Sequence, residues 1–159
     1  MKKLKLYLET TVFNWYFEPE RGFTGDIQLL FDEIADEKHE AFASEYVIDE
    51  LMSTKNVERR ENLLDLFNSC NLNILSRSSA TDILAEQYAF HKLISEKHLL
   101  DRQHLACATV NGLDAIISFN FSHINRIWTK DKIIAVNKLN NYNPVSIHLP
   151  MEVTKYEEI

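Results

Sequence analysis

Short apolar runs alternate with longer amphipathic stretches along the sequence, and this alternation restricts the fold more than any other feature. Leu4, Leu6 and Leu8 alternate with polar neighbours as in a β-strand. Residues 27–34 then carry apolar side chains at helical spacing. The continuous apolar run at 115–117 is typical of a strand covered by helices on both faces. This order predicts a three-layer α/β/α sandwich around a central, mostly parallel sheet of about five strands.

Residues that suit helix N-caps precede several of the amphipathic stretches. Ser44 follows a short apolar segment and Asn56 precedes a helical pattern, so both are predicted to be N-caps. Residues 79–82, Ser-Ala-Thr-Asp, have the capping-box pattern and predict the start of a long helix. The apolar residues at helical spacing in this long helix are Ile83, Phe90 and Ile94, and Tyr88 and Phe90 are expected in the core.

Polar side chains occupy the positions where a parallel sheet binds ligands, beyond the carboxyl ends of strands. Glu9 ends the first strand, Asn120 ends the buried strand, and Glu50 lies in the helix after Ser44. Asp101 suits the N-cap of a helix that ends at Asn111-Gly112. The residues alone leave two alternatives open, because Glu9 also suits a strand-end acceptor of helix amides and Asp101 a simple cap.

Composition and charge exclude several classes of protein. The 159 residues contain no linker, repeat or low-complexity tract, so a single domain over 1–159 is expected. The net charge of −7 argues against a generally basic surface, and the 3 glycines form neither common phosphate-binding motif. Residues 1–9 lack the apolar stretch of a signal peptide, and no segment approaches the ~20 apolar residues that span a bilayer. A cytoplasmic protein without a membrane partner is expected.

Four segments, in this order, resemble a PIN domain, the fold of a large class of metal-dependent ribonucleases. Leu8-Glu9-Thr10-Thr11 corresponds to the family's L-D-T-S, and Ser44 through Glu50-Leu51 matches S-x-x-x-x-x-E-L. Asp101 begins an alanine-rich helix, as the family's third acid does. Residues 118–124, SFNFSHI, are similar to a W-N-F-x-H-I form found in some branches. The resemblance covers about residues 4–148.

The resemblance implies an Mg²⁺- or Mn²⁺-dependent endoribonuclease that hydrolyses single-stranded RNA and leaves 5′-phosphate and 3′-hydroxyl ends. It implies Glu9 and Asp101 as metal ligands, Glu50 as a ligand or general base, and Asn120 as an outer-sphere ligand. His104 and His123 equally suit packing and turn positions. The supporting residues are Ser118 and Thr10, which would orient the carboxylates, and Arg102, Arg126, Lys130, His104 and His123, which would contact RNA.

Two positions depart from the family pattern. Glu9 replaces an aspartate and carries its carboxylate one methylene further, which shifts the place of a strictly octahedral ion such as Mg²⁺. Asn120 replaces an acid and removes one formal charge, which favours one bound cation over two.

The leading interpretation is the toxin ribonuclease of a VapC-like toxin–antitoxin pair. Its partners would be the RNA substrate, a cognate antitoxin and, as such toxins are often dimeric, a second copy of the chain. The alternative is a catalytically impaired PIN scaffold that binds RNA or a protein partner without cleavage. Glu9 and Asn120 are the reasons for keeping that alternative open.

Overall fold

The strands of the computed structural model, which describes residues 3–154, lie parallel in one sheet. Their spatial order is β3-β2-β1-β4-β5, and every neighbouring pair is parallel. The predicted α/β fold with about five parallel strands is therefore confirmed, while residues 1–2 and 155–159 of the predicted domain lie outside the described residues. The strands are β1 (Leu4–Leu8), β2 (His39–Ser44), β3 (Leu72–Leu75), β4 (Ala115–Ile117) and β5 (Ser146–His148).

Helices cover both faces of this sheet. Leu6, Tyr7 and Leu8 are all fully buried, although successive side chains of a strand point to opposite faces. Within the described range, no helix is long and apolar enough to cross a membrane. The helices are α1 (Thr10–Tyr16), α2 (Thr24–Ala35), α3 (Glu45–Met52), α4 (Val57–Ser69), α5 (Ser79–Phe90), α6 (Leu99–Val110) and α7 (Ile127–Leu139), with short 3₁₀ turns at Pro19–Arg21 and Pro150–Glu152.

Two of the predicted N-caps are confirmed. The Ser44 hydroxyl accepts a hydrogen bond from the backbone N–H of Val47 at 3.4 Å and starts α3 directly at the end of β2. The Asn56 side chain accepts from the N–H of Arg59 at 2.9 Å and starts α4. The short β2–α3 connection fixes the distance from the sheet edge to Glu50, which lies in the second turn of α3.

The predicted start of α5 at Ser79 is confirmed, but the predicted extension to Ile94 is wrong. Its cap is Ser78, which accepts from the N–H of Thr81 at 3.1 Å, and the helix ends at Phe90, before Ile94. Ile83 and Phe90 are 64% and 75% exposed, so these two are not core residues, whereas Ile94 is buried beyond the end of the helix. The buried residues of α5 are Thr81, Leu84, Ala85 and Tyr88.

Asp101 is not the N-cap of α6. The helix begins at Leu99 with His98 in the cap position, so Asp101 lies within the first turn. Its carboxylate accepts a hydrogen bond from the Asn120 side chain and lies 2.9 Å from His123 Nδ1, instead of accepting from helix amides. The predicted cap role is therefore wrong, because the helix starts three residues earlier than the cap pattern indicates.

The topology places a crevice between β1 and β4. From β1 the chain moves outward through β2 and β3, and it then returns to β4 on the other side of β1. The strand order thus reverses beside β1, and the carboxyl ends of these two strands are where an open parallel sheet binds ligands. The backbone N–H of Glu9 donates to the carbonyl of Ile117 at 3.1 Å, which joins the two strand ends.

Candidate active site

Glu9 lies at the base of this crevice, between the end of β1 and the start of α1. Its side chain is nearly fully buried and accepts hydrogen bonds from the Thr11 N–H at 3.2 Å, the Thr11 hydroxyl at 2.6 Å and the Ser118 hydroxyl at 2.6 Å. Burial raises the pKa of Glu9 despite the opposing charge of His104 and the two hydroxyl donors. Glu9 therefore serves as the N-cap of α1 and presents a fixed carboxylate at the sheet edge.

Glu50 of α3 pairs with His104 of α6. One carboxylate oxygen of Glu50 accepts from the Thr10 hydroxyl at 2.8 Å and also contacts His104 Nε2. Burial works against both charges, but the hydrogen bond between the partners outweighs it, so the pKa of Glu50 is lowered and the pKa of His104 is raised. We name Glu9, Glu50 and His104 the inner cluster.

The imidazole of His104 is also held from its other side. The Tyr7 hydroxyl lies 2.6 Å from His104 Nδ1 and 2.6 Å from the Ser44 hydroxyl. Because the carboxylate of Glu50 is an acceptor only, Nε2 of His104 carries a proton, and Nδ1 accepts from Tyr7 when the ring is neutral. Burial raises the pKa of Tyr7 well above its usual range, so the phenol stays protonated.

A second group lies nearer the surface, where the start of α6 meets the loop after β4. His98, Asp101 and His123 are each partly exposed, and we name them the outer cluster. Asp101 Oδ2 lies 2.9 Å from His123 Nδ1, and the rings of His98 and His123 are 3.8 Å apart at an interplanar angle of 31°. Burial raises the pKa of Asp101, although the charges of the surrounding histidines oppose this rise.

The residues of segment 118–124, which forms the loop after β4, have distinct structural roles. Phe119 is buried and stacks on Trp15 with ring centroids 4.4 Å apart, and Ile124 is fully buried. Between these anchors, the Asn120 side-chain carbonyl accepts from the His123 N–H at 3.0 Å. This contact fixes the orientation of the amide, so its NH₂ group faces Asp101 and donates to Oδ1 at 3.0 Å.

The inner and outer clusters meet at one open cavity of about 530 Å³, whose lining includes Glu50, Asp101, Asn120 and His123. A neighbouring cavity of about 450 Å³ shares His98 and His123 with it. The lining of the neighbouring cavity also combines an exposed aromatic ring with cationic side chains, and these residues are Trp128, Lys92, Arg126 and Lys132.

The residues predicted from the sequence to contact RNA occupy different environments. Arg126 lies on the exposed rim of the neighbouring cavity, whereas Lys130 is not part of that lining and acts electrostatically on Glu152. Arg102 is buried and donates to the carbonyls of Ala85 at 3.2 Å and Glu96 at 3.0 Å. The guanidinium of Arg102 is therefore used inside the protein and is not presented to RNA at the surface.

Three residues of the site were missed by sequence reasoning. Thr11 holds Glu9 and also accepts from the Phe119 N–H at 2.8 Å, and Tyr7 holds His104. Nothing in the local sequence distinguishes these two from ordinary strand-end residues. His98 precedes Asp101 by three residues, which is the spacing of side chains on one helical face. This spacing is the sequence feature that could have indicated that His98 lies near Asp101.

Both clusters have the chemistry to hold a cation. In each of them, one ligand atom per residue lies within 4.8 Å of the others. Each ionised carboxylate has about four lone-pair sites, so hydrogen bonds from hydroxyls orient its oxygens without exhausting them. Carboxylates together with imidazole suit ions such as Mn²⁺ and Zn²⁺, whereas Mg²⁺ prefers oxygen ligands.

Comparison with solved structures supports the fold. A chain of VapBC2 from Rickettsia felis, solved with a DNA fragment from its promoter, superposes with a TM-score of 0.57 at 14% identity. The match covers 92% of this chain and 98% of that chain. No family model and no curated protein matches the sequence. At this identity the likeness establishes the fold, and it confirms the PIN-like α/β architecture predicted from the sequence.

Proposed function

We propose that this chain, which has a PIN-like fold, is a divalent-metal-dependent endoribonuclease that cleaves single-stranded RNA. The observation that carries the proposal is the convergence of Glu9, Glu50 and Asp101 on the crevice between β1 and β4. Three carboxylates at the switch point of a parallel sheet repel a phosphodiester unless a cation lies among them. Their concentration there therefore favours metal-assisted phosphoryl chemistry over direct recognition of an anion.

The residues present fit a divalent cation. Ser118 and Thr11 hold Glu9 in place, and Thr10 holds Glu50, so the carboxylates are oriented before any ion binds. When bound, Mg²⁺ or Mn²⁺ would lower the pKa of a coordinated water and neutralise the charge that builds up on the phosphoryl oxygens. The acidic members of both clusters, Glu9, Glu50 and Asp101, would supply the ligand oxygens.

Glu50 is the residue placed to accept a proton from the attacking water. It lines the open cavity, and its lowered pKa keeps it ionised at neutral pH. His104 fixes the carboxylate from the buried side, and Tyr7 fixes His104 in turn. On the other wall, Asn120 acts by orienting Asp101 through its NH₂ group.

The neighbouring cavity gives the RNA strand a path. Lys92, Arg126 and Lys132 offer positive charge to the phosphates beside a site that is itself negative. Trp128 is 65% exposed, and base stacking on such a ring stabilises single strands without reading their sequence. These local positive charges would attract RNA phosphates even though the whole chain has a net charge of −7.

We extend the proposal to the toxin of a type II toxin–antitoxin pair. The similar fold in the VapBC2 complex supports this extension, and an acidic chain suits a basic antitoxin segment. A gene adjoining this one that encodes a DNA-binding motif followed by a helical tail would add independent support. Such a partner would cover the carboxylates at the open cavity.

Cleavage of labelled single-stranded RNA by the full chain tests the nuclease. We expect Mn²⁺ or Mg²⁺ to support cleavage, chelation to abolish it, and Asp101→Asn to lower the rate by about a hundredfold or more, as loss of a charge-stabilising group does elsewhere. Asp82→Asn is the matched control, because Asp82 also lies in the first turn of a helix but is exposed and lines neither cavity.

Equal cleavage by the wild type and Asp101→Asn would contradict the proposal, and so would cleavage that is indifferent to chelation. RNA binding without cleavage in any metal would support the alternative, a PIN-like scaffold impaired by Glu9 and Asn120. Mass analysis of the products adds a further requirement, since the proposed hydrolysis leaves 5′-phosphate ends.

A further inference from the structure

We propose that the outer cluster, His98, Asp101 and His123, is a binding site for a first-row transition-metal ion such as Mn²⁺ or Zn²⁺, separate from the proposed catalytic cation and with Asp101 available to both. The site shares Asp101 with the proposed nuclease, but occupation of the site does not require RNA cleavage. It therefore goes beyond the proposed function, and the two fail or succeed in different experiments.

The distances suit a shared ion. Two ligand atoms at right angles on a metal, with bonds of about 2.1 Å, lie about 3 Å apart. Asp101 Oδ2 and His123 Nδ1 are 2.9 Å apart, which is this spacing. A ligand nitrogen of His98 lies within 4.8 Å of both, so a small rotation of its ring completes a three-residue set. The cavity beside them leaves room for water or phosphate ligands.

The backbone holds the two histidines in place. His123 is fixed by the hydrogen bond from its N–H to Asn120 and by the Thr129 hydroxyl, which donates to its carbonyl at 2.6 Å. His98 lies in the loop that buried Arg102 anchors through the carbonyl of Glu96. The guanidinium of Arg102 thus positions one ligand of the outer cluster.

The ligand types set the selectivity. Two imidazoles and one carboxylate suit Mn²⁺, Zn²⁺ or Co²⁺, whereas Mg²⁺ requires mainly oxygen ligands. The pair Glu9 and Glu50, with hydroxyl-oriented oxygens, suits either kind of ion.

Titration of the chelator-treated full chain with Co²⁺, followed by visible absorption, tests the site. We expect ligand-field bands that persist in a large excess of Mg²⁺ and disappear when Zn²⁺ displaces Co²⁺. His98→Ala and His123→Ala should each weaken the binding that gives these bands by about tenfold or more. Glu50→Gln and the matched control His91→Ala, an exposed histidine at the end of α5, should leave that binding unchanged.

Unchanged Co²⁺ affinity in the double variant His98→Ala, His123→Ala would overturn the proposal. Loss of the bands in Glu50→Gln would overturn it too, by placing the ion in the inner cluster. Imidazole ¹⁵N shifts of the wild type on Zn²⁺ addition give a readout free of folding effects, and shifts at His98 and His123 are expected. Zn²⁺ binding by a chain that cleaves no RNA would refute only the nuclease, and cleavage without histidine-dependent Co²⁺ binding would refute only this site.

Discussion

The inner and outer clusters contain similar residue types but are built in opposite ways. In the inner cluster Glu9 and His104 are almost fully buried, and hydroxyl groups hold every member. In the outer cluster Asp101 and His123 keep 17% and 33% of their side chains exposed and contact one another in the lining of an open cavity. Buried charges that lose a partner cost far more than exposed ones. The inner cluster therefore contributes to folding as well as chemistry, whereas the outer cluster is free to change its partners.

This contrast gives Glu50 an intermediate place. It belongs to the inner cluster through His104, yet it lines the cavity on which Asp101 and His123 also open. A substrate or ion entering from solvent meets the outer cluster and Glu50 before it meets Glu9. We infer that the inner cluster supplies a fixed frame and that the outer cluster supplies the adaptable contacts.

The largest expected effect is on folding, from His104→Ala. Its removal leaves Glu50 and the Tyr7 hydroxyl without their partner and opens a cavity, so we expect the free energy of unfolding to fall by about 3 kcal/mol. His123→Ala, in the outer cluster, should cost less than about 1 kcal/mol. Urea unfolding of both variants at pH 6 measures the difference, and equal losses would remove the distinction between the clusters.

A smaller effect, with a defined pH dependence, is expected for Glu50→Gln. The folded-state pKa of Glu50 lies below its ordinary value of 4.5, so its contribution is present above pH 4.5 and is lost as pH falls through the folded-state pKa. The folded-state pKa of His104 lies above 6.5, so its contribution is complete below pH 6.5 and is lost as pH rises through the folded-state pKa. The destabilisation, about 2 kcal/mol, should therefore be greatest between pH 4.5 and 6.5.

Urea unfolding across pH 3 to 9, with roughly one measurement per pH unit, checks this profile. Asp49→Asn is the control, because Asp49 is the neighbour of Glu50 on α3 but its carboxylate pairs with Arg77 at the surface. Such an exposed pair should change stability by less than about 1 kcal/mol at any pH. A Glu50→Gln deficit that keeps growing above pH 6.5 would show that protonated His104 does not stabilise the fold.

The sheet could be predicted from the sequence because each strand is a local pattern. Burial is predicted directly from the apolar side chains of Leu6 and Leu8 in β1 and of the residues of β4. Caps such as Ser44 also act over three or four residues. The start of α6 was misplaced because His98, a poor cap, occupies the position that Asp101 suits better by residue type.

The internal arrangement of the site could not be predicted from the sequence, because its contacts join segments that are far apart along the chain. Glu50 and His104 are 54 residues apart, and Ser118 and Glu9 are 109 apart. Arg102 shows the same limit, since a basic residue beside Asp101 indicates an RNA contact until its burial under α5 is known. The resemblance in the four motifs indicated which residues to compare, but it did not indicate which of them share a cluster.

The smallest expected effect comes from Asn120→Asp, which tests how open the outer cluster is. Aspartate keeps the acceptor for the His123 N–H but loses the NH₂ group that donates to Asp101, and it places two carboxylates side by side. Without metal we expect a loss of about 1 kcal/mol in unfolding free energy. Mn²⁺ should reverse the loss and raise the melting temperature more than in the wild type, because the added charge strengthens cation binding.

Thermal unfolding with and without Mn²⁺ measures this response. Asn140→Asp is the matched control, since the Asn140 side chain also donates one hydrogen bond, to the Val136 carbonyl at 2.9 Å, at the end of α7. An equal response to Mn²⁺ in both variants would place residue 120 outside the metal site. A response to Mn²⁺ in Asn120→Asp alone would mean that residue 120 belongs to the metal site. The wild-type amide would then lower the negative charge of the outer cluster, and with it the cation affinity, relative to a site with a second carboxylate.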